Sequence, residues 1–280
     1  MKILNKRLKR TWMLVFASLI FYFGSSFDLE PRMVEEDMCA LTNESFIAGE
    51  KIVYKIYYNW GFIWVPAGEV KFEVFETESE YISKVTGQSY LSYDEMFKVR
   101  DRYRSHIDKE TLLPNVFVRD ISQGGYERYD SMLFDQKQLK VHEYYGKTEE
   151  SSHKKTYDLN TCSQDMISVL YHLRNRDITN IEAGSKLPVS FFFSKKLYEL
   201  DVDIIELKRK KIKELGKFEV IRARPQLIAG DVFDEDSYMD VWVSNDKNKL
   251  PLLIESPVVV GSVKAVLKSH ENLKYPLEKL

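Results

Sequence analysis

Apolar residues recur at every second position over run after run of this chain. Ile52, Tyr54, Ile56 and Tyr58 alternate with Lys51, Val53, Lys55 and Tyr57, and Val70, Phe72 and Val74 alternate with Lys71 and Glu73. The same period returns from Leu197 to Leu207 and from Phe218 to Arg224. Successive side chains of an extended backbone point to opposite faces, so a period of two gives each strand one core face and one wet face. Short turn signals separate the runs: Gly124-Gly125, Gly146, Ala183-Gly184, Gly230-Asp231 and Asn245-Asp246. Counting runs gives about a dozen antiparallel strands, hence a mainly β chain built as a sandwich, an open barrel or a large curled sheet. One segment departs from the pattern. Met166, Val169, Leu170 and Leu173 stand at helical spacing between Ser163 and Arg174. Thr161 with Gln164 reads as a capping box that starts an amphipathic helix, expected to pack on the concave side of the sheet.

Composition sets outer limits. The 280 residues are 44% hydrophobic and 30% charged, which is too apolar for disorder and long enough for a sizeable core. A formal charge of -2 argues against a basic nucleic-acid binder. Two cysteines exclude a disulfide-dense scaffold and a four-cysteine zinc site. The N-terminus carries an address: Lys2, Lys6, Arg7, Lys9 and Arg10 precede an uncharged stretch from Thr11 to Phe27, with small Gly24 and Ser26 at its end. This reads as a secretory signal over residues 1–26, with an uncleaved anchor as the alternative; in either case the basic N-terminus stays inside and the body is exported. Cleavage leaves a charge of about -7, which an anionic membrane surface repels unless the protein carries a local basic face. Residues 27–46 are polar and acidic and read as a tether ahead of a single β-rich domain over 47–275. In an oxidising compartment Cys39 and Cys162 have reason to pair; two buried free thiols are the other reading.

Local signatures of catalysis are absent. The chain has no G-x-S-x-G elbow, no P-loop, no H-E-x-x-H and no G-x-G-x-x-G, so no cofactor, metal or catalytic residue is assigned. His142 and His153 would face each other across a hairpin turning at Lys147-Thr148, a weak sketch of a metal site more simply read as solvated. The acidic group Asp231, Asp234, Glu235 and Asp236 lacks the alternation and central glycine of a calcium loop. Two features point to binding. Lys98, Arg100, Arg102 and Arg104 put four cations on one face of a strand, suited to phosphate or carboxylate groups of a lipid or polysaccharide unless neighbouring acids balance them. Trp60, Phe62 and Trp64 crowd the connection between the first two strands, where they either plug the sheet end or form a stacking platform or the lip of an acyl pocket.

Several blocks resemble the domain of unknown function 3108 family: Gly49-Glu50, Tyr54, Tyr57-Tyr58, Trp60-Gly61, Trp64 and Ala67-Gly68-Glu69 at the start, then Asp165–Arg174 and Gly216-Lys217-Phe218. Val241–Asp246, Leu250-Pro251 and Val259–Lys264 continue the likeness. The resemblance implies an exported envelope protein of Gram-negative bacteria with a strongly curved antiparallel sheet and one helix, and it carries no defined catalytic residues. The resulting expectation is a periplasmic or envelope-associated, non-catalytic factor that binds a lipid or glycan or assists envelope assembly. A hydrolase assembled from distant strands, or a module for an envelope protein partner, are the alternatives.

Overall fold

The computed structural model describes residues 39–60, 63–227, 238–257 and 261–280, with backbone only at Trp60 and Met96. The signal segment, most of the tether, Phe62 and the acidic group Asp231–Asp236 lie outside the described residues. Residues 33–280 form one compact unit.

Fourteen antiparallel strands make one sheet. Strands β1–β8 are Lys51–Trp60, Ile63–Glu76, Glu80–Ser89, Arg100–Asp108, Pro114–Gln123, Tyr126–Asp135, Lys140–Gly146 and His153–Asp158. Strands β9–β14 are Lys186–Phe193, Lys196–Ile212, Gly216–Pro225, Asp240–Ser244, Pro251–Pro257 and Ser262–Glu271. The chain runs outward through consecutive hairpins to one edge, β8, crosses to the opposite edge, β9, and returns by hairpins until β14 pairs with β1. Connections this short are what antiparallel pairing allows.

The sheet curls until its edges approach without pairing. The rings of Tyr157 on β8 and Phe192 on β9 stand 5.2 Å apart. Between them runs the crossing segment, whose Gln164 bridges Phe191 in parallel: Gln164 N–H donates to Ser190 O at 2.9 Å and Phe192 N–H to Gln164 O at 2.9 Å. This explains a shifted helix start. Gln164 spends its backbone groups on β9, so the expected helix from Ser163 begins instead at Ser168 and ends at Asn175. Asp165 caps it, its carboxylate accepting from the N–H of Ile167 at 2.6 Å and of Ser168 at 2.8 Å, while Ser168 Oγ accepts from Asp165 N–H at 2.8 Å.

The helix divides the interior. Ile167 and Tyr171 join the cluster of Val74, Val85, Phe117, Met132, Phe134 and Phe192, whereas Val169 and Leu173 face Leu187, Val189, Val202, Ile204 and Ile221. The stretch expected as a tether enters the core at its end: Leu41 and Phe46 are buried in the first cluster. At the other terminus Leu273 and Leu277 pack on the cluster of Phe218, Trp242 and Leu253, so the folded body extends past both 47 and 275. Cys39 and Cys162 form a disulfide that ties this N-terminal arm to the crossing segment.

Candidate functional site

Strands β9–β13 turn apolar side chains at period two toward the helix and leave a gap. Leu187, Val189 and Phe191 come from β9, Leu200, Val202 and Ile204 from β10, Ile221 and Ala223 from β11, Val241 and Val243 from β12, and Ile254 from β13. The helix closes the opposite wall with Val169, Leu170 and Leu173, and the loop after it adds Ile178 and Ile181. The enclosed space is about 390 Å³ and partly open. Among the described residues its polar groups are few: Arg174, Asp201, Gln226 and Lys249.

Those groups are engaged elsewhere. Arg174 is buried and forms a two-pronged ion pair with buried Glu50, at 2.6 and 2.8 Å, while its Nε donates to Asn248 O at 3.0 Å and Nη2 to Ser45 O at 3.1 Å. Lys249 donates to Arg176 O at 2.5 Å, and Asp201 pairs with Lys186 at 3.5 Å. A wall of this chemistry is apolar almost throughout, the kind that favours hydrocarbon by burial. His172, on the same helix, is buried against Gln164 at 3.1 Å. Burial, and then the Arg176 charge, hold its imidazole down to about 4. Asp165 is pushed up to about 6 by burial, against the hydrogen bonds it accepts from Ser105, Ser168 and Ile167.

The residues singled out from sequence lie elsewhere. The expected aromatic loop is a tight hairpin: β1 runs through Trp60 and β2 starts at Ile63, with Asn59 opposite Trp64. Trp64 is a half-exposed strand residue whose ring carries Lys264 Nζ at 4.2 Å. It does not plug the sheet end, and it lies outside the lining of the cavity. The basic strand is β4, where Asp101 and Ser105 face inward and Arg102 and Arg104 outward. Arg100 is held by Asp94 at 2.5 Å and Arg102 by Asp120 at 3.6 Å, the balancing by neighbouring acids that the sequence left open; Lys98 is exposed beside them. His142 faces Thr156 and His153 faces Tyr145, because the turn between β7 and β8 is longer than a hairpin at 147–148, so the two histidines do not meet. Among the described residues no three His, Cys, Asp or Glu side chains gather as a metal would require.

The cavity itself escaped sequence reading. Its lining is spread over five strands and a helix, each contribution looking like ordinary core; the signal present was small or aliphatic choice at Val189, Ala223, Val241 and Val243, where aromatic residues would have filled the space.

Among solved structures, a beta-barrel-like protein of domain of unknown function DUF1849 from Brucella abortus is similar, with a TM-score of 0.57 and 10% identity, covering 83% of this chain and 99% of that one. An exported-protein candidate with a YmcC-like fold from Bacteroides fragilis aligns over 83% of this chain and 100% of that one at 10% identity, with a TM-score of 0.30. The first likeness is one of fold. No curated protein matches the sequence. The model of the family described as protein of unknown function (DUF3108) matches residues 53–268, and the chain belongs to that family.

Proposed function

We propose that this is an exported, periplasmic or envelope-associated protein that binds a lipid acyl chain without transforming it. The observation that carries the reading is the apolar cavity of about 390 Å³ between the helix and β9–β13, within the size range of small-molecule sites. Its wall supports hydrocarbon over glycan, since a sugar buried there would leave most of its hydroxyls unpaired. The basic and apolar N-terminal segment supports export, and a disulfide between Cys39 and Cys162 fits an oxidising compartment.

The test is native mass spectrometry of the protein purified gently from its own envelope, followed by extraction of bound material and displacement of a fluorescent fatty acid. A reproducible lipid adduct is expected for the wild type. Ala223→Phe, with Val241→Phe as a second filler, is expected to lose the adduct and bind the probe at least about 10-fold more weakly, the scale of discrimination an apolar pocket gives over a few methylenes. A bare protein mass together with equal probe binding by wild type and filled variants would defeat the reading.

A further inference from the structure

The tips of two hairpins distant in sequence converge on one surface. From Lys208 to Lys217 the chain carries six cations, Lys208, Arg209, Lys210, Lys211, Lys213 and Lys217, against the single acid Glu214, although its net charge is -2. These residues form the far end of the hairpin β10–β11, where Lys208 faces Val220, Lys210 faces Phe218 and Ile212 faces Gly216. Buried Ile212 and Phe218 anchor this end to the body, so the charges project from a fixed frame. Lys208 and Arg209 have partners, Glu206 at 2.8 Å and Glu219 at 3.3 Å. Among the described residues no carboxylate stands within ion-pair distance of Lys210, Lys211, Lys213, Lys217 or Lys264.

The second tip is that of β1–β2. Ile63 is 68% exposed and Trp64 37% exposed. Trp64 and Tyr57 line a depression of about 360 Å³ together with four lysines, Lys210, Lys211, Lys213 and Lys264, against two acids, Glu214 and Glu255. An isolated exposed apolar residue has no special meaning. An exposed indole and isoleucine beside lysines that no carboxylate within ion-pair distance balances are a different matter; of these lysines, Lys264 Nζ lies over the Trp64 ring at 4.2 Å and Lys210 Nζ over the Trp242 ring at 4.0 Å. Indole rings settle at the headgroup level of a bilayer, and lysine clusters draw protein to anionic lipid.

We propose that this surface docks the protein on an anionic bilayer, with the lysines on lipid phosphates and Ile63 and Trp64 at headgroup depth. Charge complementarity selects that occupant: the patch is locally basic in a chain whose remainder is acidic, and such a chain approaches an anionic surface only through a face of this kind. The cations at β4 are less suited to the role, since Arg100 and Arg102 already hold carboxylates. The proposal is independent of what the cavity holds.

Vesicle co-sedimentation of residues 27–280, which contain the whole compact unit, tests it. Vesicles of phosphatidylglycerol with phosphatidylethanolamine should retain the protein at low ionic strength, while phosphatidylcholine vesicles should not. The triple variant Lys211→Gln, Lys213→Gln, Lys217→Gln removes three exposed charges and should weaken partition roughly 100-fold, and Trp64→Ser should weaken it further. Half-molar salt should release the wild type, because screening then acts within a few ångström. The matched variant Lys147→Gln, Lys154→Gln, Lys155→Gln, on the β7–β8 edge, should bind as wild type, and so should Ala223→Phe. The proposal fails if neutral vesicles bind equally, if anionic vesicles bind nothing at low salt, or if the matched variant loses as much as the hairpin variant. Thermal melting of each variant keeps a folding defect from passing as lost binding.

Discussion

Breaking the Arg174–Glu50 pair should cost this protein a large part of its stability. Both side chains are almost without solvent contact, at 2% and 0% exposure. Arg174 reaches four acceptors from one guanidinium: both Glu50 oxygens, Ser45 O and Asn248 O. It thereby ties the helix to the start of β1, to the N-terminal arm and to the loop before β13. Arg174→Met strands a buried carboxylate and Glu50→Leu strands a buried guanidinium, and removal of one member of a buried pair costs about 3–5 kcal/mol. Against a total of about 5–15 kcal/mol, either single variant should be marginal. The double variant is the discriminating case. It removes both charges, leaves only two carbonyls without their former donor, and should cost less than either single change. Urea denaturation of residues 27–280, with midpoint and slope compared across the cycle, reads this directly. Single variants costing under about 1 kcal/mol, or a double variant costing the sum of the singles, would refute the claim that an uncompensated charge is the penalty.

Three further outcomes follow from the same interior. Asp165 is raised from its usual range to about 6 in the folded chain, burial being the main cause. Its contribution to stability is therefore present at acid pH and lost as pH rises through about 6. Asp165→Asn keeps the cap and the Ser105 contact, so relative to wild type it should gain stability between pH 4 and pH 7, by an amount on the order of 3 kcal/mol; a pH-independent difference in melting would count against the assignment. The disulfide closes a loop across a sequence separation of 123 residues. Replacing both cysteines by serine should cost roughly 4–5 kcal/mol in the loop-entropy picture, and thiols alkylated without reduction in protein purified from its native source would contradict the bridge. His172, held down to about 4 by burial, should stay neutral through pH 6, with NMR titration of its ring showing no inflection between pH 5 and 8.

What could be read from sequence divides along a physical line. Alternation such as that of Ile52–Tyr58 or Phe218–Arg224 is local, since it follows from strand geometry, and it gave the mainly β, antiparallel class. The helix was found by its spacing but misplaced at its start, because the claim of β9 on Gln164 depends on a partner 27 residues further on, at Phe191. Trp60–Trp64 reads as a loop from its crowded aromatics, whereas the pairing of Trp60 with Ile63 and of Asn59 with Trp64 is a matter of strand register that residue type does not show. Arg174 shows the limit most clearly. On a helical wheel it is one more cation beside His172, yet its partner Glu50 is 124 positions away. Neither residue type nor spacing announces a buried ion pair between elements that distant.

The position of the cavity follows from side-chain volume. On the β2–β7 side of the helix the space is filled by rings: Phe46 lies 4.7 Å from Tyr171 and 5.0 Å from Tyr81, and Phe117 and Phe134 pack there with Phe192, which reaches across from β9. On the β9–β13 side the same helix faces Val189, Val202, Ile204, Ile221 and Ala223. The crossing segment fixes the curl of the sheet through Gln164 and β9, so the two sides cannot close independently to suit their contents. Small side chains under a fixed roof leave space, and a packed interior tolerates such space poorly unless something fills it. Alternation specifies that Ala223 faces inward; its single methyl group, in a row where β2–β7 place aromatic rings, is what turns an inward position into part of a cavity wall.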